Sequence, residues 1–407
     1  MNIVITGHVD HGKSTLIGRL LFDTNSIPET VIEEAKRSSK RADGSLEFAY
    51  LLDSLEEERA KNITIDASRT FFKSPKRRYT IIDAPGHKEF LKNMVTGASQ
   101  ADAAILIIDA SRGVEEQTKR HAFVLKLLGI QKIIVAVNKL DLIGFEQSKV
   151  TPVVEEIEKF LTSLEITPQA VVPIAAMEGD NLASRSKRTP WYTGPCIIEV
   201  LDSFEERRDL SGEPIRFVVQ SVLPQNGSEM ILGRVESGVL KTGGKLRLLP
   251  SGREITVNGI KVMDGSLKEA PAGKSVALTV DAPEALNRGA VLCDGPSPTI
   301  TKSFKSSIFC LSPNGIPAEK TFTLKCATQA IPCKVKGIYQ KMNSSSLEQT
   351  GRNSDKLDET EVGEVIIETE YPVIVENFSK IPALGRFVLQ DSDHICAAGI
   401  IREVSAQ

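Results

Sequence analysis

The sequence predicts an α/β domain with a doubly wound, mostly parallel sheet, followed by two antiparallel β-barrels. Three observations lead to this fold class. Apolar runs alternate with helical patterns in the first half of the chain. A glycine-rich loop joins the first predicted strand to the first predicted helix. After Phe204 the pattern changes to short alternating segments broken by glycine and proline, which is typical of small barrels.

The first half contains strands that are expected to be covered on both faces, because their apolar runs show no polar alternation. These strands are Asn2–Thr6, Tyr79–Asp83, Ala103–Asp109, Lys132–Asn138 and Ala170–Ile174. The helical stretches are Lys13–Leu21, Lys88–Ala98, Glu116–Leu128 and Val153–Leu164. Strands and helices in this alternation predict a parallel sheet with helices on both faces.

The second half has an all-β pattern. The predicted strands of a first barrel include Ile215–Val219, Gly244–Leu248, Ile255–Val262 and Ser275–Val280. The apolar phase of the third segment shifts across Gly259, which predicts a β-bulge. Gly295–Pro298 is a predicted linker, and Ser303–Val404 is a predicted second barrel with an exposed loop at Gln349–Glu361. The expected domains are residues 1–205, 213–297 and 302–407.

Composition and charge restrict the class of protein. The 407 residues suffice for two or three domains, and 41% hydrophobic residues with 25% charged residues is ordinary for a globular protein. A formal net charge of −3 argues against a broadly basic nucleic-acid binder but leaves room for a local basic face. We expect a cytoplasmic protein with no membrane partner, because no apolar run approaches the length of a membrane span and no signal peptide is visible. The six cysteines lack paired metal-ligand spacing, so we expect reduced thiols and no structural metal.

The stretch GHVDHGKST has the pattern of a loop that binds nucleotide phosphates. Its two glycines, lysine and first hydroxyl fit G-x-x-x-x-G-K-[ST], in which the lysine reaches the β- and γ-phosphates and the hydroxyl binds Mg²⁺. The alternative is a chance glycine turn, but here the loop joins strand to helix as phosphate binding requires. The expected nucleotide-binding residues are Gly7, His8, Val9, Asp10, His11, Gly12, Lys13, Ser14 and Thr15.

Two further motifs follow predicted strands. In DAPGH, Asp83 is expected to bind Mg²⁺ and Gly86 to offer its N–H to a γ-phosphate, although the pentapeptide alone is also compatible with a simple turn. In NKLD, which spans Asn138, Lys139 and Asp141, the final carboxylate matches the N1–H and exocyclic amine of guanine. The three motifs in this order predict that the chain binds GTP and GDP together with Mg²⁺.

These motifs resemble those of the translation-factor GTPases, and the resemblance covers essentially the whole chain. GHVDHGKST, ERAKNITID, DAPGH, TGASQADAAIL and NKLD are similar to elongation factor 1-alpha and elongation factor Tu. LIGRLL, FFKSPKRRY, EEQTKRHAFVLKLLGI, WYTGP, LLPSGREITVNGI and SSSLE with LDETEVGEV look more like the GTPase subunit of sulfate adenylyltransferase, a relative in the same family. The family implies a GTPase domain followed by two β-barrels.

The resemblance also implies roles by position. Thr64 would join Ser14 and Asp83 as a Mg²⁺ ligand. His87 would orient the attacking water, with a merely surface-exposed histidine as the alternative. Val9 and Ile63 would form an apolar gate in front of that water. His11 is expected to pack within the loop and to take no part in the chemistry.

Three positions depart from the family pattern. Asn62 stands where the family usually has glycine, and asparagine tolerates left-handed backbone geometry. The base-contacting Ser-Ala-Leu pattern appears as Ala175-Ala176-Met177, so an N–H at Ala176 can reach the guanine carbonyl while the serine hydroxyl is absent. The sulfate-activation relatives usually carry aspartate where His11 stands.

Three functions agree with the sequence. The first is a regulatory GTPase subunit of sulfate adenylyltransferase, whose partner would be a separate catalytic subunit that makes adenylyl sulfate from ATP and sulfate. The second is an elongation factor-like GTPase that carries aminoacyl-tRNA to the ribosome. The third is a GTP switch for another protein client. Barrel segments favour the first function, whereas His11 and TGASQADAAIL favour the second.

Overall fold

The structure is a computed structural model, and it describes residues 1–38, 48, 69–82, 101–205, 209–225, 228–263 and 265–404. It divides into two compact units, Met1–Glu206 and Arg207–Gln407. The predicted helix Lys88–Ala98 lies outside the described residues. The domain boundaries predicted from the sequence stay predictions, although each barrel has its own set of strands.

The first unit contains a six-stranded sheet with helices along the chain between its strands. The strands are β1 Asn2–Gly7, β2 Arg69–Lys73, β3 Arg78–Ile82, β4 Ala103–Asp109, β5 Ile133–Asn138 and β6 Ala170–Pro173. The helices are α1 Lys13–Asp23, α2 Glu29–Ser38, α3 Glu116–Leu127, α4 Gln147–Ser163 and α5 Ile197–Ser203. The sheet order is β2-β3-β1-β4-β5-β6, and only β2 is antiparallel to its neighbour. The predicted α/β fold class is confirmed for this unit.

Burial explains why this sheet forms. Every residue of β4 and β5 is buried, as expected for parallel strands covered on both faces. Helix α4 begins at Gln147, earlier than the predicted Val153, and contains Pro152. Pro152 lacks an N–H and therefore removes one main-chain hydrogen bond from this helix, which continues through it. Among the described helices, none is long and apolar enough to cross a membrane.

The second unit contains two closed antiparallel barrels. The strands of the first are β7 Arg216–Gln225, β8 Ser228–Ser237, β9 Val239–Lys241, β10 Lys245–Leu249, β11 Glu254–Val262, β12 Gly265–Leu267, β13 Glu269–Pro271, β14 Ser275–Val280 and β15 Val291–Cys293. Those of the second are β16 Thr299–Cys310, β17 Ile316–Pro317, β18 Thr321–Cys326, β19 Gln329–Asn343, β20 Gln349–Ser354, β21 Lys356–Leu357, β22 Glu361–Val375, β23 Arg386–Asp391 and β24 His394–Glu403, with the short helix α6 Pro382–Gly385. The rings close through β10–β11 and β18–β19, which confirms the predicted barrels.

Two predictions about these barrels have different outcomes. The register of β11 against β14 shifts between Val257 and Gly259, which confirms the predicted bulge. The predicted loop at Gln349–Glu361 is wrong, because β20 pairs with β19 and β21 pairs with β17. The residues of β20 are polar and mostly exposed, so their sequence has no apolar alternation. An edge strand of this kind is held by main-chain hydrogen bonds, which leave no trace in side-chain pattern.

The two barrels pack against each other through an apolar cluster and a buried ion pair. The cluster consists of Val218, Leu249, Val291, Cys293, Ile374, Ile381 and Leu384. Beside it, Arg216 Nε lies 2.5 Å from Glu376 Oε1, and the two side chains are only 4% and 11% exposed. Arg216 also donates to the carbonyls of Asp294 at 3.1 Å and Pro296 at 2.6 Å. One side chain therefore holds the first barrel, the segment between the barrels and the second barrel.

Replacing Arg216 by alanine should destabilise this unit, because Glu376 would remain buried without its partner. Breaking a buried ion pair in this way costs about 3–5 kcal/mol. The measurement is the urea dependence of hydrogen–deuterium exchange in peptides from β7 and β22, which reports on this unit separately from the first. Lys245→Ala is the control, since its ion pair with Glu254 is exposed and should contribute nothing measurable. Equal urea midpoints for the two variants would contradict the prediction.

Candidate functional site

The predicted nucleotide-binding residues that the structure describes follow strands β1, β5 and β6. In a parallel sheet the carboxyl ends of the strands meet at one edge, where ligands of such folds bind. The phosphate loop follows β1, the NKLD motif begins at the end of β5, and Ala175 follows β6. The fold therefore brings three segments, far apart in the chain, to one edge of the first unit.

The phosphate loop curves around the end of its own lysine. Lys13 Nζ donates to the carbonyls of Gly7 at 2.9 Å and His8 at 2.8 Å, so the ammonium lies inside the curve. Gly12 precedes α1 with a φ of 94°, and a Cβ there would lie 2.5 Å from Asn138 Nδ2. Only glycine tolerates both this backbone geometry and this close approach. The first turn of α1 follows directly, with Ser14 exposed.

The Asn138 side chain connects the phosphate loop to the segment after β6. Its Nδ2 donates to the His11 carbonyl at 2.8 Å, and its Oδ1 accepts from the Ala176 N–H at 2.9 Å. Asn138 is 2% exposed, so both bonds are shielded from water. The sequence analysis predicts that the Ala176 N–H donates to the carbonyl of guanine. This stays a prediction, and it requires the N–H either to bond to both Asn138 and guanine or to leave Asn138 when guanine binds.

The rest of the NKLD motif forms a tight turn. Lys139 has a φ of 65°, and its Nζ lies 2.8 Å from Asp109 Oδ2 at the end of β4. Burial by itself would raise the pKa of Asp109, but hydrogen bonds from Lys139 and Ser111 outweigh it and lower the pKa. Asp141 lies in the following 3₁₀ turn, Leu140–Ile143, and is half-buried. Within the described part of the chain, no donor is bonded to the Asp141 carboxylate, which leaves it available to a base.

Glu115, just before α3, contacts both histidines of the phosphate loop. Its Oε2 lies 2.7 Å from His11 Nε2 and 3.6 Å from His8 Nε2. His11 is fully buried, and its Nδ1 lies 3.3 Å from the Ile107 carbonyl. Burial lowers the pKa of His11, and its bonds to Glu115 and Ile107 oppose this only in part. His11 therefore links the phosphate loop to β4 and to the start of α3. Its expected packing role stays a prediction.

Several predicted site residues lie outside the described residues. They are Asn62, Ile63, Thr64, Asp83, Gly86 and His87. Of the remaining loop residues, Val9 and Thr15 are half-buried and Asp10 is exposed with a φ of 64°. The roles of all these residues stay predictions.

Sequence reasoning overlooked four residues around the site, namely Arg19, Asp109, Glu115 and His121. Asp109 had a usable signal, because it ends a fully apolar strand just as Asn138 does. The other three had none, since each belongs to an ordinary amphipathic helix or its flank. Their contacts depend on which segments the fold places beside them.

His121 on α3 should make the first unit less stable in acid. It is 1% exposed, and burial, followed by the charge of Lys13, lowers its pKa to about 3. Below the ordinary histidine pKa of about 6.5, the unfolded chain takes up a proton that the folded chain refuses, so stability falls by about 1.4 kcal/mol per pH unit. This contribution is absent above pH 6.5 or so and grows as the pH approaches 3.

The test compares the wild type with His121→Gln, which cannot titrate. Free energies of unfolding of the first unit, measured by hydrogen exchange in urea at pH 7 and pH 5, should fall more steeply for the wild type. Between pH 7 and pH 5 the free energy of unfolding should fall by about 2 kcal/mol more for the wild type than for His121→Gln. The same pH dependence in both proteins would show that His121 is protonated as easily in the folded state as in the unfolded one.

The chain is similar to known proteins along its whole length. Residues 1–223 match the family model of the elongation factor Tu GTP binding domain, residues 229–293 match elongation factor Tu domain 2, and residues 303–402 match the GTP-eEF1A C-terminal domain-like model. Elongation factor 1-alpha of Methanocella arvoryzae is 36% identical over 417 residues, covering 100% of this chain and 98% of that protein. Elongation factor 1-alpha of Pyrococcus horikoshii is 38% identical over 416 residues, covering 98% and 97%.

A solved structure is also similar. The crystal structure of sup35 complexed with GDP has a TM-score of 0.46 and 24% identity, covering 99% of this chain and 94% of that one. The family models span more than half of the chain, and the elongation factors match it from end to end. The chain therefore belongs to the family of translation-factor GTPases that includes elongation factor Tu and elongation factor 1-alpha.

Proposed function

We propose that the chain is an elongation factor-like GTPase that binds aminoacyl-tRNA in its GTP-bound state and delivers it to the ribosome. The observation that carries the proposal is the match to elongation factor 1-alpha over the whole chain, both barrels included. A GTPase that shared only its nucleotide site with these factors would match in the first unit alone. A cytoplasmic location, expected from the sequence, belongs to the same proposal.

In this proposal the nucleotide lies along the sheet edge. The main-chain N–H groups from His8 to Lys13 surround the phosphates, and the Lys13 ammonium moves from the loop carbonyls to the β- and γ-phosphates. The exposed Ser14 hydroxyl in the first turn of α1 suits Mg²⁺, which would neutralise phosphate charge, with Thr64 and Asp83 as its other protein ligands. His87 holds the attacking water, and Val9 with Ile63 controls its access.

The base lies between the NKLD turn and the segment after β6. Asp141 accepts two hydrogen bonds from the guanine N1–H and exocyclic amine, which adenine lacks. The ion pair between Lys139 and Asp109 ties the NKLD turn to the end of β4. The buried Asn138 keeps the phosphate and base segments at a fixed separation. A nucleotide held at both ends in this way is positioned for attack on its γ-phosphate.

Asp141→Asn should weaken GDP binding and favour xanthosine diphosphate, because an acceptor pair becomes one acceptor and one donor. Loss of this charge-assisted pair is worth roughly 2–4 kcal/mol, or about 30- to 1,000-fold in affinity. Titration calorimetry of the wild type and the variant with GDP and with xanthosine diphosphate measures this change in nucleotide preference. Wild-type affinity of the variant for GDP would remove Asp141 from the base site.

The delivery function is tested by protection of the aminoacyl ester bond. The GTP-loaded chain should slow hydrolysis of aminoacyl-tRNA, whereas the GDP-loaded chain should not. Binding should weaken more than about tenfold between 50 and 200 mM salt, since phosphates are contacted. Asp141→Asn provides a matched control, because it should protect the ester with XTP and not with GTP.

The regulatory subunit of sulfate adenylyltransferase is the second candidate, and the segments quoted in the sequence analysis favour it. The relatives compared above carry the name elongation factor 1-alpha, so we rank delivery of aminoacyl-tRNA first. The same protein should then be used in a pull-down from its native lysate. Two results together would replace the first proposal by the second. The chain would fail to protect the aminoacyl ester, and it would form a stable complex with an adenylyltransferase in which GTP hydrolysis rises when ATP and sulfate are added.

A further inference from the structure

Arg19 connects the helix of the phosphate loop to the segment that follows β6. It lies on α1, six residues after Lys13, and its side chain is 19% exposed. Its Nη1 donates to the Met177 carbonyl at 2.9 Å, across 158 residues of sequence. Met177 follows Ala176, whose N–H is bonded to the Asn138 side chain. Two side chains from different elements therefore hold this segment.

The guanidinium of Arg19 is fixed on its remaining sides. Its Nε lies 2.7 Å from Asp23 Oδ1, one helical turn further along α1. Its Cζ lies 5.0 Å from the centre of the Phe48 ring, a cation–π distance. The planar guanidinium can make all these contacts at once because its donors point in fixed directions. A single conformation of the side chain therefore satisfies Asp23, Phe48 and Met177 together.

Gly179 provides the space for this arrangement. A Cβ at Gly179 would lie 2.2 Å from Arg19 Nη2, and its φ of 87° also favours glycine. The N–H of Gly179 donates to the Ala175 carbonyl at 2.8 Å, which closes the tight turn from Ala175 to Asp180. The shape of the turn and the position of the guanidinium thus depend on each other.

We propose that Arg19 is a positioning residue for guanine: by holding the Met177 carbonyl it sets the distance between the segment Ala175–Met177 and the base. The inference rests on the proposed base site, in which this segment meets the 6-carbonyl of guanine. Arg19 touches neither the base nor the phosphates. It transmits the position of α1, and hence of the phosphate loop, to the place where the base binds.

This role predicts a specific pattern of nucleotide affinities. Inosine diphosphate keeps the 6-carbonyl of guanine but lacks the exocyclic amine that Asp141 binds. Arg19→Ala should therefore weaken GDP and IDP by the same factor, about tenfold or more, because a charge-assisted hydrogen bond is lost. Single-turnover hydrolysis of bound GTP should stay within about threefold of wild type, since the γ-phosphate site is not altered.

The experiment measures GDP and IDP affinities for the full chain by fluorescent-nucleotide displacement. Asp23→Asn is the matched control, because it removes the ion pair but leaves the Arg19 donors and the Met177 carbonyl; its GDP affinity should stay within about threefold. Gly179→Ala should weaken GDP as Arg19→Ala does, by displacing the guanidinium. In the double variant Arg19→Ala/Gly179→Ala, the added methyl group no longer meets a guanidinium. The losses of GDP affinity caused by the two single substitutions should therefore not add.

The outcomes separate this inference from the proposed function. If Asp141→Asn leaves the ratio of GDP to IDP affinity unchanged, the base site itself is misplaced and the Arg19 inference fails with it. If Asp141→Asn removes the preference for GDP over IDP but Arg19→Ala binds GDP as tightly as the wild type does, only the role of Arg19 is overturned. If Arg19→Ala does not fold, additive effects of Gly179→Ala and Arg19→Lys overturn the inference, and non-additive effects support it.

Discussion

The proposed nucleotide site depends on one buried amide, the side chain of Asn138. It donates to the carbonyl of His11 in the phosphate loop and accepts from the N–H of Ala176. Each bond satisfies a main-chain group that would otherwise be buried without a partner, which is costly. Because an amide offers a donor and an acceptor at a fixed separation, the two segments keep a fixed distance. Aspartate or leucine at this position would leave at least one of them unsupported.

Around this amide, charged and titratable groups hold the loop and the NKLD turn in place. Glu115 contacts the loop histidines from outside, and Asp109 holds the ammonium of Lys139. The ammonium of Lys13 stays bonded to loop carbonyls. In the proposed complex with GTP these carbonyls would give way to phosphate oxygens, which carry negative charge and therefore accept stronger hydrogen bonds from an ammonium.

The barrels show a different use of a buried polar group. Arg216 joins both barrels and the segment between them, beside an apolar cluster to which each barrel contributes. Apolar contacts alone allow two domains to slide, because they have little directionality, whereas the donors of arginine fix an orientation. The pair Arg216–Glu376 therefore contributes to a defined arrangement of the barrels more than to net stability. Two barrels held in this way act as one compact unit.

The fold class, the β-bulge at Gly259 and the order of the nucleotide motifs along the strands could be predicted from the sequence alone. Each of these has a local signature: apolar runs reveal buried strands, and glycine marks turns or close approaches. The folded structure was needed to reveal the bonds of Asn138, the contact of Arg19 with Met177 and the pair Arg216–Glu376. It also showed that residues 349–354 form an edge strand. Such features join segments many residues apart through one hydrogen bond or through main-chain pairing, so their partners are chosen by packing and leave no periodic pattern in the sequence.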